Sequence, residues 1–524
     1  MLQVAATTIP HFLSPRVTSP FALFQYADDT LIFSTTKGSA ASSLKLLLCI
    51  FAEVSGLSIN FTKSNLVPIN LSDAHSSALA SIFLYSLSNL PLAYLGLQLS
   101  HKTPDKSSFM PLLEKIDGKL QSWKGRLLTR AGRIQLTKSI LSSFPVYFMA
   151  CFKLPSWFIK RVDRLRRDFI WGKSNSSGRA IPLLNWQTCC LSKEFGGFGL
   201  TELTLQNTIL LLKFWWRLFS EKTSIWTTFL TAIYSRARNP TNPLLWKGEG
   251  SFFWKQLRSL RALFQISTTW EINSGTTPLF WFDSWNGKPL IFFSKSTPWP
   301  VKPHFSLRQA ASNLLLHLPR PLQLQEHNYL SLATQFLFNE DPDCIRWKWS
   351  RSGVFSSKDT YKAFISAGKI PFPFFQIWHF NIPPSIKVFC LLLLHKKLLT
   401  QDSLLRRNMQ VLPGCHLCQQ DLLETPQHLF FNCPFSTSVW TTIFPSRFAS
   451  LTSCEDSTAT ITSFLASLPT IGRSRSFTLF CYSLWFIWRE CNNRLFRNKR
   501  KPPDIIALMA ASESELFLRA TGKS

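Results

Sequence analysis

Acidic residues are scarce in this sequence. Its 524 residues hold 29 Asp and Glu against 58 Lys and Arg, a formal net charge of +29. An excess of that size points to a polyanionic partner. The basic residues are spread along helical patterns rather than set beside an apolar span, which favours nucleic acid over a membrane surface. Long apolar runs are missing too. The longest, such as Val388–Leu394, fall well below the ~20 residues of a transmembrane helix. No charged n-region with a cleavage site opens the chain, which argues against a secretory signal. Close cysteine pairs are few. Of the 12 Cys, only Cys189–Cys190 and Cys415/Cys418 lie near each other, so a reduced intracellular compartment, nucleus or cytoplasm, fits best. The Gly-rich string Phe195–Leu200 lacks a following Gly-Lys-Ser/Thr. It reads as a tight turn, not a phosphate loop.

What is present is ample for cores, with a hydrophobic fraction of 45%. At roughly 150 residues per domain, the length suggests three or four units. Near the start, Gln25-Tyr26-Ala27-Asp28-Asp29-Thr30-Leu31-Ile32-Phe33 sets two carboxylates between short apolar runs. That pattern predicts a β-hairpin with Asp28 and Asp29 at its turn, backed by buried strands. Adjacent carboxylates repel, so a cation favours having both ionised. Oxygen ligands of this kind suit Mg²⁺. A solvated Asp-Asp turn is the alternative.

Ala40–Glu53 predicts a helix with Leu44, Leu47, Leu48 and Phe51 on one face, stopped by Gly56, with Leu57–Phe61 as a returning strand. Leu112, Leu113, Ile116, Leu120, Trp123 and Leu127 recur at helical spacing. A second helix follows Thr129–Arg133 and ends before Pro145. Pro155 and Ser156 open a third, to Trp171. Its apolar stripe is Phe158, Val162, Leu165 and Phe169. The remaining face carries Lys160, Arg161, Arg164, Arg166 and Arg167 against Asp163 and Asp168. Such a face can lie along a phosphate backbone, or be an ordinary solvated one. From about residue 236 the texture changes. Trp270–Gly275 and Phe280–Trp285 read as short strands around turns, and Ile345–Ser356 as a hairpin. Their aromatics can stack on bases or fill a core, and core is the commoner use. The tail from about residue 470 reads as helix, with a basic run at Arg494, Arg497, Lys499, Arg500 and Lys501.

The best-formed chemical motif is Cys415-His416-Leu417-Cys418, then His428 and Cys433. Cys-x₂-Cys sets two thiolates on one knuckle, and His-x₄-Cys closes a tetrahedron from a second segment. Three thiolates and one imidazole are a common structural Zn²⁺ set. Four protein ligands leave no open position for catalysis. His416 is the one rival ligand, but its ring would have to fold back over a two-residue loop. Unliganded, reduced cysteines are the alternative.

Tyr26–Phe33 resembles the palm motif of reverse transcriptases of plant LINE-type (non-LTR) retrotransposons. Ser55–Ser64, Leu90–Leu97, Leu128–Arg133 and Phe195–Leu200 match the same pattern, and residues 355–442 resemble the reverse-transcriptase zinc-binding domain. The resemblance implies a mixed α+β, multidomain fold. Its parts would be a palm remnant (1–70), a helical thumb (71–235), a Trp-rich β linker (236–354), a mainly helical zinc-binding domain (355–445) and a helical basic tail (446–524). It implies RNA-directed DNA polymerisation in the parent enzyme, with Asp28 and Asp29 as Mg²⁺ ligands and Lys63 steadying phosphate charge. RNA and DNA would be the partners, with a missing N-terminal half as a further one and no membrane. Only 27 residues precede Asp28, whereas the family has another palm Asp and nucleotide-holding fingers earlier. The expectation is therefore a C-terminal portion that is inactive alone but keeps zinc and nucleic-acid binding. Two other readings stand beside it: a zinc-dependent nucleic-acid-binding protein without a polymerase role, and a degenerate product without function.

Overall fold

The computed structural model describes residues 23–34, 37–60, 62–100, 103–122, 127–172, 181–235, 242–246, 250–290, 305–312, 333, 335–366, 374–411, 414–447, 456–468 and 473–522. Phe61, Trp123 and most of the stretch 290–337 lie outside them. The fold is mixed α+β and mostly helical, and its named strands pair only two by two. The chain divides into two compact units. One holds Met1–Pro111, Ala150–Lys153 and Thr208–Ser357. The other holds Leu112–Met149, Leu154–Asn207 and Lys358–Ser524.

The first unit begins with the expected hairpin. Strand β1 (Leu23–Tyr26) pairs antiparallel with β2 (Asp29–Ile32), with Tyr26 opposite Asp29. Ala27 turns with φ 51°, as a two-residue connection between right-twisted strands requires. The strands are not buried, however. Phe24 is 44% and Tyr26 66% exposed. Among the described residues the hairpin stands as a two-stranded sheet without a third strand, and period-two apolar residues need a covering layer to be buried.

The helix Gly38–Ser55 stops at Gly56 in the left-handed region, as expected. Ala41 and Leu44 pack against Leu79 and Phe83 of the helix Asp73–Phe83. Phe51, expected on the buried face, is 41% exposed. This helix is long and apolar enough to cross a membrane by length and composition alone. The reading of uninterrupted runs missed it because Ser, Lys and Cys break the run. Leu57–Asn60 forms no strand. Instead β3 (Asn65–Leu66) pairs parallel with β4 (Ser86–Leu87), and β5 (Leu92–Tyr94) pairs antiparallel with β6 (Leu97–Leu99) around Leu95 and Gly96.

The Trp-rich stretch is more helical than expected, with helices Phe252–Ser259 and Arg261–Ser267. Trp215, Trp254, Phe264, Trp270 and Trp347 share one core. The Trp215 indole N–H donates to the Leu257 carbonyl at 2.7 Å. Aromatic bulk in a short segment is used here as packing. The strand β7 (Thr268–Glu271) pairs antiparallel with β8 (Cys344–Trp347). Of the expected hairpin within Ile345–Ser356 only a turn forms, closed by the Trp347 N–H on the Gly353 carbonyl at 2.7 Å, with no second strand after β8 among the described residues. Phe280–Trp285 is a turn, not a strand. It is drawn around Asp283, which accepts from the Leu279 N–H at 2.8 Å and is fully buried, its pKa pushed up to about 7 by that burial.

In the second unit, the helix Arg130–Leu136 starts at Thr129, whose hydroxyl accepts from the Gly132 N–H. It runs into a π-helical turn, Thr137–Leu141, before Pro145. The helix Ser156–Trp171 follows as expected. One core joins Ala131, Ile134, Ile170 and Phe198 to the helix Pro384–Leu394, the metal-motif segment and the final helices Arg473–Arg497 and Pro503–Ala520. The Gly-rich string is the tight turn expected. A Cβ on Gly197 would meet the Leu191 carbonyl oxygen at 2.0 Å.

Candidate metal centre and basic surfaces

The knuckle is built by local backbone rules. Gly414 enters it at φ 124° and Gln419 leaves it at φ 60°. The Cys415 N–H donates to the Gln420 carbonyl (2.9 Å), and the Gln419 N–H to the Cys415 carbonyl (2.8 Å). The Leu417 and Cys418 N–H groups point at the Cys415 sulfur. Buried Gln401 ties both sides of the loop. Its amide donates to the Gly414 carbonyl (2.7 Å) and its oxygen accepts from the Glu424 N–H (3.1 Å). The second segment is a π-helical turn, His428–Asn432, pinned by Trp440 Nε1 on the Phe430 carbonyl (2.6 Å) and Ser436 Oγ on the Leu429 carbonyl (2.6 Å). The Cys433 N–H donates to the His428 carbonyl at 2.7 Å. Cys433 then caps the helix Pro434–Ile443, whose Phe435 and Ser436 N–H groups face its sulfur.

The result brings Cys415, Cys418, His428 and Cys433 together, their ligand atoms all within 4.8 Å of one another. Cys415 and Cys433 sulfurs are 3.9 Å apart, and Cys418 Sγ is 3.5 Å from His428 Nε2. A tetrahedral ion with sulfurs at about 2.3 Å and a nitrogen at about 2.1 Å sets those separations near ~3.8 and ~3.6 Å. The donor set therefore fits zinc in both geometry and softness. His416, the rival, is not in the cluster. Its backbone N–H points at Glu424. Hydrogen bonding to Cys433, with burial, pushes the Cys415 thiol up. The same bond holds the Cys433 thiol below its usual range. Burial lowers the pKa of His428, which favours the neutral imidazole a metal requires.

Sequence reasoning missed what lies beneath the knuckle. In the sequence Arg494 is one of a run of basic residues in the tail. Its guanidinium donates to the Leu417 carbonyl (Nη1, 2.8 Å), to Glu490 Oε1 (Nε, 2.8 Å) and to the Lys501 carbonyl (Nη2, 3.0 Å), and lies over the Phe435 ring. Cys491 Sγ donates to Glu424 at 3.3 Å. The Glu490/Arg494 spacing of four was the available signal.

The other candidate residues fall in different settings. Asp28 lies in the hairpin turn and Asp29 at the start of β2, both exposed. Lys63 is exposed in a turn where Asn60 Oδ1 accepts from the Thr62 and Lys63 N–H groups. On the helix Ser156–Trp171, Lys160, Arg161 and Arg164 are exposed. Arg167 is half-buried, lying over Trp186. Arg166 does not belong to that basic face, which corrects the expectation. It is 0% exposed, donating to Asp163 (2.7 Å), Ser142 Oγ (2.9 Å) and the Thr201 carbonyl (2.9 Å) and lying over Trp186. At helical spacing it falls beside Val162 and Ile170 on the buried side.

Residues 355–440 match the family described as zinc-binding in reverse transcriptase. The chain is 28% identical over 366 residues to an Arabidopsis thaliana protein named "Putative ribonuclease H protein", covering 66% of this chain and 57% of that one. It is also 28% identical over 192 residues to the Xenopus laevis "Transposon TX1 uncharacterized 149 kDa protein", covering 35% of this chain and 14% of the relative. This chain is related to the reverse transcriptases of non-LTR retrotransposons. A third relative, an "Uncharacterized mitochondrial protein" of Arabidopsis thaliana, is 28% identical over 147 residues, 27% of this chain and 92% of its own length. The reverse-transcriptase-related chain thus spans little more than half of the first relative's length, 57%.

Proposed function

We propose that this chain is the zinc-bearing C-terminal portion of a non-LTR retrotransposon reverse transcriptase. In this reading it binds RNA and DNA, Cys415, Cys418, His428 and Cys433 hold one structural Zn²⁺, and Asp28 and Asp29 are Mg²⁺ ligands of the parent polymerase. Lys63, Lys160, Arg161, Arg164 and Arg167 contact phosphate. The observation that carries the reading is the Cys₃His cluster with zinc-like spacing inside the segment matched by the zinc-binding family. When bound, the ion would cross-link the knuckle to the π-helical turn. The chain's own part is to present three sulfurs and a neutral ring, with no open position for substrate. Ligands must be deprotonated, so metal retention weakens in acid.

Metal analysis of purified protein dialysed free of excess zinc tests this. One zinc per chain is expected, with loss in Cys433→Ser and His428→Ala and retention in His416→Ala. A ratio near zero sinks the zinc assignment, and loss in His416→Ala alone means the wrong histidine was chosen. Nucleic-acid binding is tested by oligonucleotide affinity against salt, which should fall steeply.

A further inference from the structure

The turn between the final two helices, Phe496–Lys501, is not a loose basic tail. The helix Arg473–Arg497 ends in it and the helix Pro503–Ala520 starts just beyond it. Three separate bonds hold its backbone. The Lys501 N–H donates to the carboxylate of buried Glu490 (2.8 Å), the Lys501 carbonyl accepts from Arg494 (3.0 Å), and the Lys499 N–H donates to the Asn493 carbonyl (3.2 Å). Asn498 takes a left-handed φ of 49° to make the bend. The knuckle braces the same turn twice. Arg494 reaches the Leu417 carbonyl inside the Cys415–Cys418 loop. The Gln419 carboxamide, with its oxygen turned toward Arg500, accepts from Nη1 at 2.8 Å and Nη2 at 3.1 Å.

What this braced turn presents is unusual for solvent. Arg497, Lys499, Arg500 and Lys501 are all exposed, and beside them the Phe496 ring is 74% exposed. Acidic residues nearby are few. Glu490 is buried and paired with Arg494, and Asp504 lies at the start of the next helix. A large exposed ring among cations has little use in packing. It suits a π-face for an unpaired base, while the cations meet the adjoining phosphates. A duplex hides its base faces, so the chemistry selects a single strand.

We propose that the turn Phe496–Lys501 is a contact site for single-stranded nucleic acid, with Phe496 stacking on a base and Arg497, Lys499 and Arg500 engaging phosphates, and that the metal knuckle keeps it in shape. The site lies outside the segment matched by the zinc-binding family, and it rests on the nucleic-acid reading above. Because the brace runs through Leu417 and Gln419, both on or beside the knuckle, metal loss slackens the turn. Ribose and deoxyribose strands share the stacking and phosphate chemistry, so both should bind.

The test is fluorescence anisotropy with labelled single-stranded DNA and RNA oligonucleotides, using the full zinc-loaded chain across a salt series. The triple variant Arg497→Ala, Lys499→Ala, Arg500→Ala should lower the slope of log affinity against log salt by about 2, at ~0.7 per phosphate contact on a single strand. Phe496→Ala should weaken binding roughly 5- to 150-fold, the range for one lost base stack, with little change in slope. Chelated protein should bind as the triple variant does, and the triple substitution should then change nothing further. A control, Lys160→Ala with Arg161→Ala and Arg164→Ala, shows what another basic surface contributes. If the parent chain binds no oligonucleotide, the general nucleic-acid reading fails. If the parent binds and the triple and Phe496 variants bind equally well with the same slope, the turn is not a site and only this proposal falls. Phosphatidylserine vesicles are the third arm, and binding to them without oligonucleotide binding overturns both. Far-UV circular dichroism of each variant separates lost contact from lost fold.

Discussion

Arg166 and Arg164 lie two positions apart on one helix, and the structure gives them opposite roles. Arg166→Ala removes a fully buried cation that holds Asp163 at 2.7 Å and satisfies Ser142 and the Thr201 carbonyl. Asp163 would remain in a site that already raises its pKa through burial, which Arg166 now opposes. Orphaning one member of a buried pair costs about 3–5 kcal/mol. For a unit of this size, ~2–4 °C of melting temperature accompanies each kcal/mol, so a loss of roughly 6–20 °C is expected in the transition of the second unit. Arg164→Ala, on an exposed side chain, should stay within about 0.5 kcal/mol. The deficit also carries a sign with pH. Without Arg166, the Asp163 pKa rises further, and acid neutralises the stranded carboxylate. The gap between parent and Arg166→Ala should therefore narrow as pH falls toward mild acid and widen at neutral pH. Differential scanning calorimetry of both variants at mildly acidic and neutral pH measures this. Equal, small shifts for Arg164→Ala and Arg166→Ala would refute the buried network. A gap that grows in acid would refute the role given to Asp163.

Other outcomes follow from single contacts. Asp283, with a pKa near 7 in the folded chain and an ordinary carboxylate value of 3.8, binds a proton on folding between those limits. The first unit should therefore lose stability as pH rises through that window and level off above it, and Asp283→Asn should flatten the slope. A parent transition insensitive to pH there would count against it. Gly197→Ala drives a Cβ into the Leu191 carbonyl and should cost about 1–3 kcal/mol, read from the shift in denaturation midpoint. A wild-type midpoint would mean that the turn yields. On the reading proposed above, in which Asp28 and Asp29 hold metal but do not by themselves clamp both the attacking and leaving oxygens, the chain assayed by itself should not extend a primer on an RNA template. Extension that Asp28→Asn abolishes would overturn that.

Much of the local order was legible in the sequence. Helical spacing located the helix Ser156–Trp171, Gly56 the end of the helix Gly38–Ser55, and the Cys-x₂-Cys with His-x₄-Cys spacing a cluster whose sulfurs do converge. These are short-range signals, set by backbone period, left-handed φ and the reach of a two-residue loop. What tertiary structure alone decided is which side of each element meets a partner. Arg166 reads as one more cation on a basic helix until Ser142, Asp163 and Thr201 surround it. Phe280–Trp285 has a strand's composition but folds as a turn whose backbone groups are met from elsewhere: the Phe280 N–H donates to the Phe305 carbonyl, and the Phe282 and Ser284 carbonyls accept from the Gln265 amide and the Trp270 N–H. Trp347 sits opposite Thr268 across some 80 residues, a strand pairing that its own neighbourhood does not spell. Arg494, from helix-end sequence that spells only a basic tail, reaches the carbonyl of Leu417. In each case the deciding contact comes from residues distant in the chain. Periodicity ranks the faces of a single element by polarity, but burial depends on what arrives from elsewhere to cover them.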